Sequence, residues 1–104
     1  MARLDAADVQ KRLTRLSGWA LIDGGAEAPR GAQGGAIRKQ FTLGSFPDAI
    51  AFVTRLAFEC EAADHHPDIL INYKRVTLTY STHSEGGLTE KDFDGAAKAE
   101  GLAR

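Results

Sequence analysis

The sequence predicts a two-layer α+β domain, with helices packed on one face of a four-stranded antiparallel sheet, in the order α-β-β-α-β-β-α. Two long segments, 6–16 and 45–64, space their apolar residues as amphipathic helices do. Two others, 36–43 and 76–82, alternate apolar and polar residues as half-buried strands do. With 104 residues and 43% hydrophobic content the chain has material for one core and not two, so residues 1–104 read as a single domain.

The first helix is predicted from Ala6 to about Leu16, with Ala6, Val9, Leu13 and Leu16 on one face. Asp5 stands where it caps the free amides, Leu4 and Val9 occupy staple positions, and Gly18 follows where a left-handed residue is wanted. Trp19 to Ile22 reads as a short strand. Ala36 to Leu43 reads as its neighbour, with Ile37, Lys39, Phe41 and Leu43 facing one way and Arg38, Gln40 and Thr42 the other. Between them, Asp23 to Gly35 holds five glycines, three alanines and one proline. That loop exceeds the roughly two to five residues of most hairpin connections, and its composition offers little to pack. It reads either as a flap or partner contact, or as a plain flexible insertion.

Ser45 opens the second helix, with Asp48 completing a capping box and Pro47 tolerated in the first turn, and the helix runs to about Asp64. Phe46, Ile50, Val53 and Ala57 form one stripe, widened by Phe52, Leu56 and Cys60. Pro67 turns the residue before it away from helical geometry, which sets His65 and His66 at the helix's C-terminal end. Ile69 to Tyr73 reads as a strand, Lys74-Arg75 as a tight turn, and Val76 to Thr82 as the partner strand. Val76, Leu78 and Tyr80 point one way, Thr77, Thr79 and Ser81 the other, and His83 continues the second parity beyond the strand. The last helix starts at Thr89, with Leu88 and Phe93 at staple positions and Asp92 at its third residue, and continues to about Glu100.

Composition excludes several classes of partner. The formal net charge of −1 gives no basic footprint for nucleic acid, and no run approaches the roughly 20 apolar residues of a membrane span. Met1 to Asp5 lead into an amphipathic pattern carrying acids and lack the apolar stretch of a signal peptide. The single cysteine, Cys60, cannot form an intramolecular disulfide, which fits a reducing cytoplasm, and its apolar helical setting reads as a buried, inert thiol.

All three histidines fall within nineteen residues: His65, His66 and His83. Histidine changes charge near neutral pH, so concentrating the whole supply in one window points to an acid/base or ligand site. Glu61 and His65 stand four apart, so the carboxylate can hold one ring nitrogen and leave the other free; an ordinary surface pair would use the same spacing. His66 points elsewhere, about 100 degrees around if the helix persists, so the two rings differ in task. Asp92 completes a capping box at Thr89-Glu90-Lys91-Asp92, which alone explains it structurally. Tyr73 either packs or flanks a flat ligand. Gly86-Gly87 lacks the lysine and spacing of a phosphate loop and reads as a turn. Adjacent histidines diverge, whereas metal sites draw on spacings that aim both rings at one ion, so the expectation is no metal. No serine or cysteine stands in a nucleophile motif.

Taken together, Glu61, three residues, His65-His66-Pro67, then Tyr73, His83 ten residues on and Asp92 nine further resemble the signature of the pterin-4a-carbinolamine dehydratase family. The match is close from Glu61 to Asp92, and Gly18-Trp19 and Lys39-Gln40-Phe41 are similar to the family's two earlier strands. The resemblance implies the same fold, and removal of water from a 4a-hydroxytetrahydropterin to give the quinonoid dihydropterin, as in tetrahydrobiopterin recycling after an aromatic amino acid hydroxylase. It implies a cytoplasmic homodimer or homotetramer, a pterin as the small-molecule partner and no cofactor. His65, His66 and His83 are the implied catalytic set, His65 and His83 as the acid/base pair and His66 as the ring that positions the pterin. Glu61, Tyr73 and Asp92 are the implied supports, and Pro67, Thr82, Ser84 and Glu85 match segments that line the pterin site. Thr82, Ser84 and Glu85 depart from commoner members, and an acidic Glu85 bears on which pterin fits.

A second function class shares this fold. Some relatives resemble dimerisation cofactors of a homeodomain transcription factor and others assembly factors for Rubisco, which use the fold as an interaction surface. A pure scaffold has no use for three histidines with carboxylate partners, which favours the enzyme.

Overall fold

The computed structural model describes residues 3–22 and 35–103. The predicted loop from Asp23 lies outside the described residues except for Gly35. The elements are α1 (Ala6–Leu13), β1 (Ala20–Ile22), β2 (Ala36–Thr42), α2 (Phe46–Ala63), β3 (Asp68–Asn72), β4 (Arg75–Tyr80) and α3 (Glu90–Leu102), with a 3₁₀ turn at His83–Glu85. The four strands form one sheet in the order β1-β2-β4-β3, every neighbour antiparallel. The predicted α+β architecture and its element order are both present.

The alternation in β2 and β4 fixes which side of the sheet is covered. Ile37 and Phe41 in β2 and Val76, Leu78 and Tyr80 in β4 are buried, and they meet Phe52 and Leu56 of α2 and Phe93, Ala96 and Ala99 of α3 in one cluster. The opposite face is polar. There Arg38 Nε donates to Thr79 Oγ1 at 3.0 Å and Gln40 Nε2 to Thr77 Oγ1 at 3.4 Å, across directly paired positions. Lys39 shares the covered face, yet its ammonium reaches Glu100 and Ser17 O, with Nζ 4.9 Å from the centre of the Phe41 ring. Glu100 also accepts from Trp19 Nε1 at 2.9 Å, tying the end of α3 to the start of β1. That ion pair is partly exposed and contributes up to about 1 kcal/mol. Truncating a core leucine such as Leu56 costs about 2–5 kcal/mol, so packing dominates.

Several boundaries differ from the sequence expectation. Helix α1 ends at Leu13, not Leu16, and the chain continues through tighter turns, Arg15 N to Arg12 O and Leu16 N to Leu13 O, before Gly18 takes a left-handed φ of 86°. The buried face of α2 is Ala49, Phe52, Leu56 and Cys60, while Phe46 and Ile50 are 47% and 40% exposed; both stripes satisfy helical spacing and only the sheet's position chooses between them. Ser45 Oγ accepts from Asp48 N at 3.1 Å, one half of the expected box. The β3–β4 turn is Tyr73-Lys74 and not Lys74-Arg75, because Arg75 pairs with Asn72 and Tyr73 adopts a positive φ of 55°. Strand β4 stops at Tyr80.

Tyr80 crosses from the sheet to α3 and lies against Gly95, where a Cβ would stand 2.5 Å from Cε1 of the tyrosine ring. Replacing a helical glycine by alanine ordinarily gains about 1 kcal/mol. Here overpacking costs about 1–3 kcal/mol, so Gly95→Ala is expected to lower the thermal midpoint. A higher midpoint by circular dichroism would contradict this packing.

Candidate active site

The end of α2 is built as a Schellman motif. Asp64 sits in the left-handed region at φ 51°, His65 N donates to Cys60 O at 3.1 Å, and Asp64 N donates to Glu61 O at 3.2 Å. The helix therefore closes at Ala63, and the chain leaves it in an extended path toward Pro67. This reversal changes the partners expected from spacing. Glu61 does not hold His65. It accepts from His66 Nε2 at 2.8 Å, an exposed pair, whereas His65 turns inward and places Nε2 2.6 Å from Asp92 Oδ1.

Asp92 has no exposed surface. It is the third residue of α3 and completes the capping box with Thr89, whose backbone N–H donates to Oδ2 at 2.9 Å. Thr82, two residues past β4, donates its hydroxyl to the same oxygen at 2.8 Å. With that proton spent, Thr89 Oγ1 is the donor in its 2.7 Å contact with Thr82 Oγ1, and it accepts from Lys91 N at 3.3 Å. Every contact to the carboxylate thus comes from a donor. His65 must carry its proton on Nε2, which leaves Nδ1 as its free nitrogen. Tyr80 stacks on the same ring with centroids 6.0 Å apart and planes inclined by 24°. Burial, with Cys60 and Asp92 nearby, pushes the Tyr80 hydroxyl far above its usual range, so it stays a neutral phenol.

His83 does not extend the β4 parity. Thr82 bridges to Gly87, Thr82 N donating to Gly87 O at 2.9 Å, and this tight loop lifts His83, Ser84 and Glu85 into an exposed 3₁₀ turn. Gly86, in the left-handed region at φ 70°, closes the turn. His83 is joined to the buried network through its neighbour Thr82. Thr82 itself is buried, with its hydroxyl committed to Asp92 and Thr89. His66 and Pro67 line a separate hollow of about 340 Å3 with Phe58, Glu61 and Ile69. Tyr73 is 68% exposed at the far end of β3, which separates it from the histidine pair by five extended residues, roughly 16 Å.

Two contributors escaped the sequence reading. Thr89 was visible as a cap, but its bond to Thr82 joins residues whose approach only the fold creates. Tyr80 was visible as an inward-facing residue without any sign that His65 stacks on it. Among the described residues, no group of three or more histidine, cysteine, aspartate or glutamate side chains is arranged to hold a metal ion. No helix among them is long and apolar enough to cross a membrane.

Known proteins share this architecture. The model of the family described as pterin 4 alpha carbinolamine dehydratase matches residues 2–102. A relative from Roseiflexus castenholzii, whose name places it with the same dehydratases, is 50% identical over 99 residues, 95% of each chain. A crystal structure of a transcriptional coactivator/pterin dehydratase from Brucella melitensis superposes with a TM-score of 0.85 at 34% identity, covering 98% of this chain and 99% of that one. A pterin dehydratase-like protein identified as a RuBisCO assembly factor in the alpha-carboxysome matches with a TM-score of 0.64 at 25% identity, covering 83% and 89%. The chain belongs to the pterin 4 alpha carbinolamine dehydratase family.

Proposed function

We propose that the protein removes water from a 4a-hydroxytetrahydropterin by histidine acid/base catalysis, yielding the quinonoid dihydropterin. The observation that carries this reading is the buried Thr82–Asp92–His65 network, which fixes one histidine with its Nδ1 free beside the segment that bears His83. The reaction breaks the C4a–O bond and the N5–H bond and forms a C4a–N5 double bond. One group must protonate the departing hydroxyl while another accepts the N5 proton. His65 suits the accepting role, because Asp92 on its far nitrogen stabilises the imidazolium that results. His83, an exposed imidazole on the 3₁₀ turn, suits the donor role. His66, held by Glu61 beside Pro67, serves as the ring that positions the pterin, and the 3₁₀ turn with Ser84 and Glu85 borders the same substrate. Thr82 and Asp92 act as supports through His65. Such a step fits the recycling of a tetrahydropterin in the cytoplasm after an aromatic amino acid hydroxylase has acted. Tyr73 lies too far along β3 to serve the site of its own chain.

An interaction role is the second reading, favoured by the exposed Phe58, Leu70 and Tyr73 at 75%, 57% and 68% and by the likeness to an assembly factor. Both readings include a homodimer or homotetramer. The free edge strand β3 carries exposed Ile69 and Leu70, and uncovered edges invite pairing.

His65→Ala and His83→Ala are each expected to lower the enzyme-dependent dehydration rate by about 10²- to 10⁴-fold with pterin binding largely retained, while His66→Ala mainly weakens binding. Stopped-flow rates at a pH where the spontaneous reaction is slow provide the measurement; full activity in both of the first two folded variants would leave the interaction reading in place.

Asp92→Asn presents a donor or a weaker acceptor to His65 and is expected to cost at least about tenfold in rate, with nitrogen NMR reporting the displaced tautomer. An unchanged ring spectrum and rate would show that Asp92 does not set the state of His65.

Exhaustive chelation is expected to leave the rate unchanged, and activity lost to chelator and restored by one metal would replace proton transfer with metal-activated water.

Sedimentation is expected to give at least twice the 11.2 kDa chain mass, and a clean monomer at micromolar concentration would refute self-association.

A further inference from the structure

Tyr73 is the signature residue that the site of its own chain leaves unused. It is 68% exposed, and within its chain Lys74 Nζ stands 5.9 Å from the ring centre. Its φ of 55° lies in the left-handed region, which glycine takes freely and a bulky aromatic residue takes at a cost. Packing does not explain an aromatic ring at so strained and open a position.

The strand that leads to it is an edge of the sheet, and its sequence Asp68-Ile69-Leu70-Ile71-Asn72 reads nearly alike in both directions. The two-residue turn Tyr73-Lys74 closes on a hydrogen-bonded pair, Asn72 with Arg75, and the pairing alternates from there. Asn72, Leu70 and Asp68 therefore spend their backbone groups on β4, while those of Ile69 and Ile71 face the free edge. An antiparallel second copy with its two-fold axis at Leu70 matches the whole strand, whereas an axis at Ile69 or Ile71 matches only part of it. In the full register Ile69 exchanges both backbone bonds with the partner's Ile71, and Leu70 meets its own counterpart.

Side chains fit this register. Leu70 shares its row of the sheet with Thr77 and Gln40, and self-pairing covers an apolar residue that is otherwise 57% exposed. The two Asp68 carboxylates stay apart. Each stands opposite the partner's Asn72, with the partner's Arg75 next on the same row, roughly 9.6 Å away and within reach of an arginine side chain. One pair beyond the strand, Tyr73 of each copy stands opposite the partner's Pro67, with Cα atoms about 5 Å apart. Pro67 and Ile69 line the hollow that holds His66, and Phe58, 75% exposed, lines it too.

We propose that Tyr73 serves the site of the partner subunit: across the paired β3 edges its ring covers the hollow at the partner's His66 and forms one wall for the flat pterin. The pterin contact rests on the dehydratase reading. The strand register and the approach to His66 do not.

Cross-linking tests the register, with buried Cys60 left in place. Leu70→Cys is expected to form a disulfide-linked dimer under mild oxidation, because the facing Cα atoms stand about 4.5 Å apart. Asn72→Cys, whose counterpart lies roughly 13 Å along the strand, is expected to stay unlinked. An unlinked Leu70→Cys or a linked Asn72→Cys would overturn the pairing.

Tyr73→Gly suits the left-handed turn and so keeps the hairpin. It is expected to shift the His66 ring protons and to weaken 7,8-dihydrobiopterin, a pterin with no 4a-hydroxyl to lose, about three- to tenfold. Co-expression with His66→Ala gives mixed dimers in which about a quarter of all sites hold both residues intact, and these are expected to recover full affinity. Unmoved His66 protons, or no recovery in the mixed dimers, would overturn the contact between subunits. If the unaltered protein binds no dihydrobiopterin, the dehydratase reading fails by itself, and the cross-links and the His66 protons decide this proposal.

Discussion

The buried carboxylate of Asp92 is the constraint on which the site depends. A carboxylate with no exposed surface is tolerable only when its oxygens are satisfied, and leaving one donor out costs more than the bond itself is worth. Three parts of the chain supply the donors: the Thr89 backbone at the start of α3, the Thr82 hydroxyl beyond β4, and the His65 ring beyond α2. The same side chain is thus a helix cap and a histidine holder. Its position comes from helix capping, its burial from α3 packing on the sheet, and the orientation of His65 from both.

The divergence of two adjacent histidines has a local cause. Asp64 in the left-handed region reverses the chain at the end of α2, and Pro67 disfavours helical geometry at the residue before it, His66. One imidazole then faces inward to a buried carboxylate and the other faces outward to an exposed one. An aspartate accepts that backbone more readily than most residues, since its short polar side chain tolerates positive φ. The result is two rings with different surroundings and hence different capacities, obtained from a single helix terminus.

Tyr80 couples the core to the site. Its ring fills the space above Gly95, touches Trp19 in the cluster, and stacks on His65. A core residue that also supports a ring of the candidate site limits how freely either can vary. Its buried hydroxyl stands next to the Cys60 thiol of α2.

By itself the sequence determined the number, type and order of the elements, because helical and strand periodicities are local properties that capping residues and prolines punctuate. It also singled out the candidate site residues: the three histidines and the spacing to Asp92 were legible in the sequence. Tertiary structure alone decided which of them meet. Spacing favoured Glu61 with His65, and the left-handed turn at Asp64 gave Glu61 to His66 instead. Periodicity allowed either stripe of α2 to be buried, and the position of the sheet selected Ala49, Phe52, Leu56 and Cys60. Thr82 and Thr89 form a pair only because a strand end and a helix start are folded together. Pairings across elements depend on where the backbone reverses and on what the sheet covers, and neither is encoded in any one window of residues.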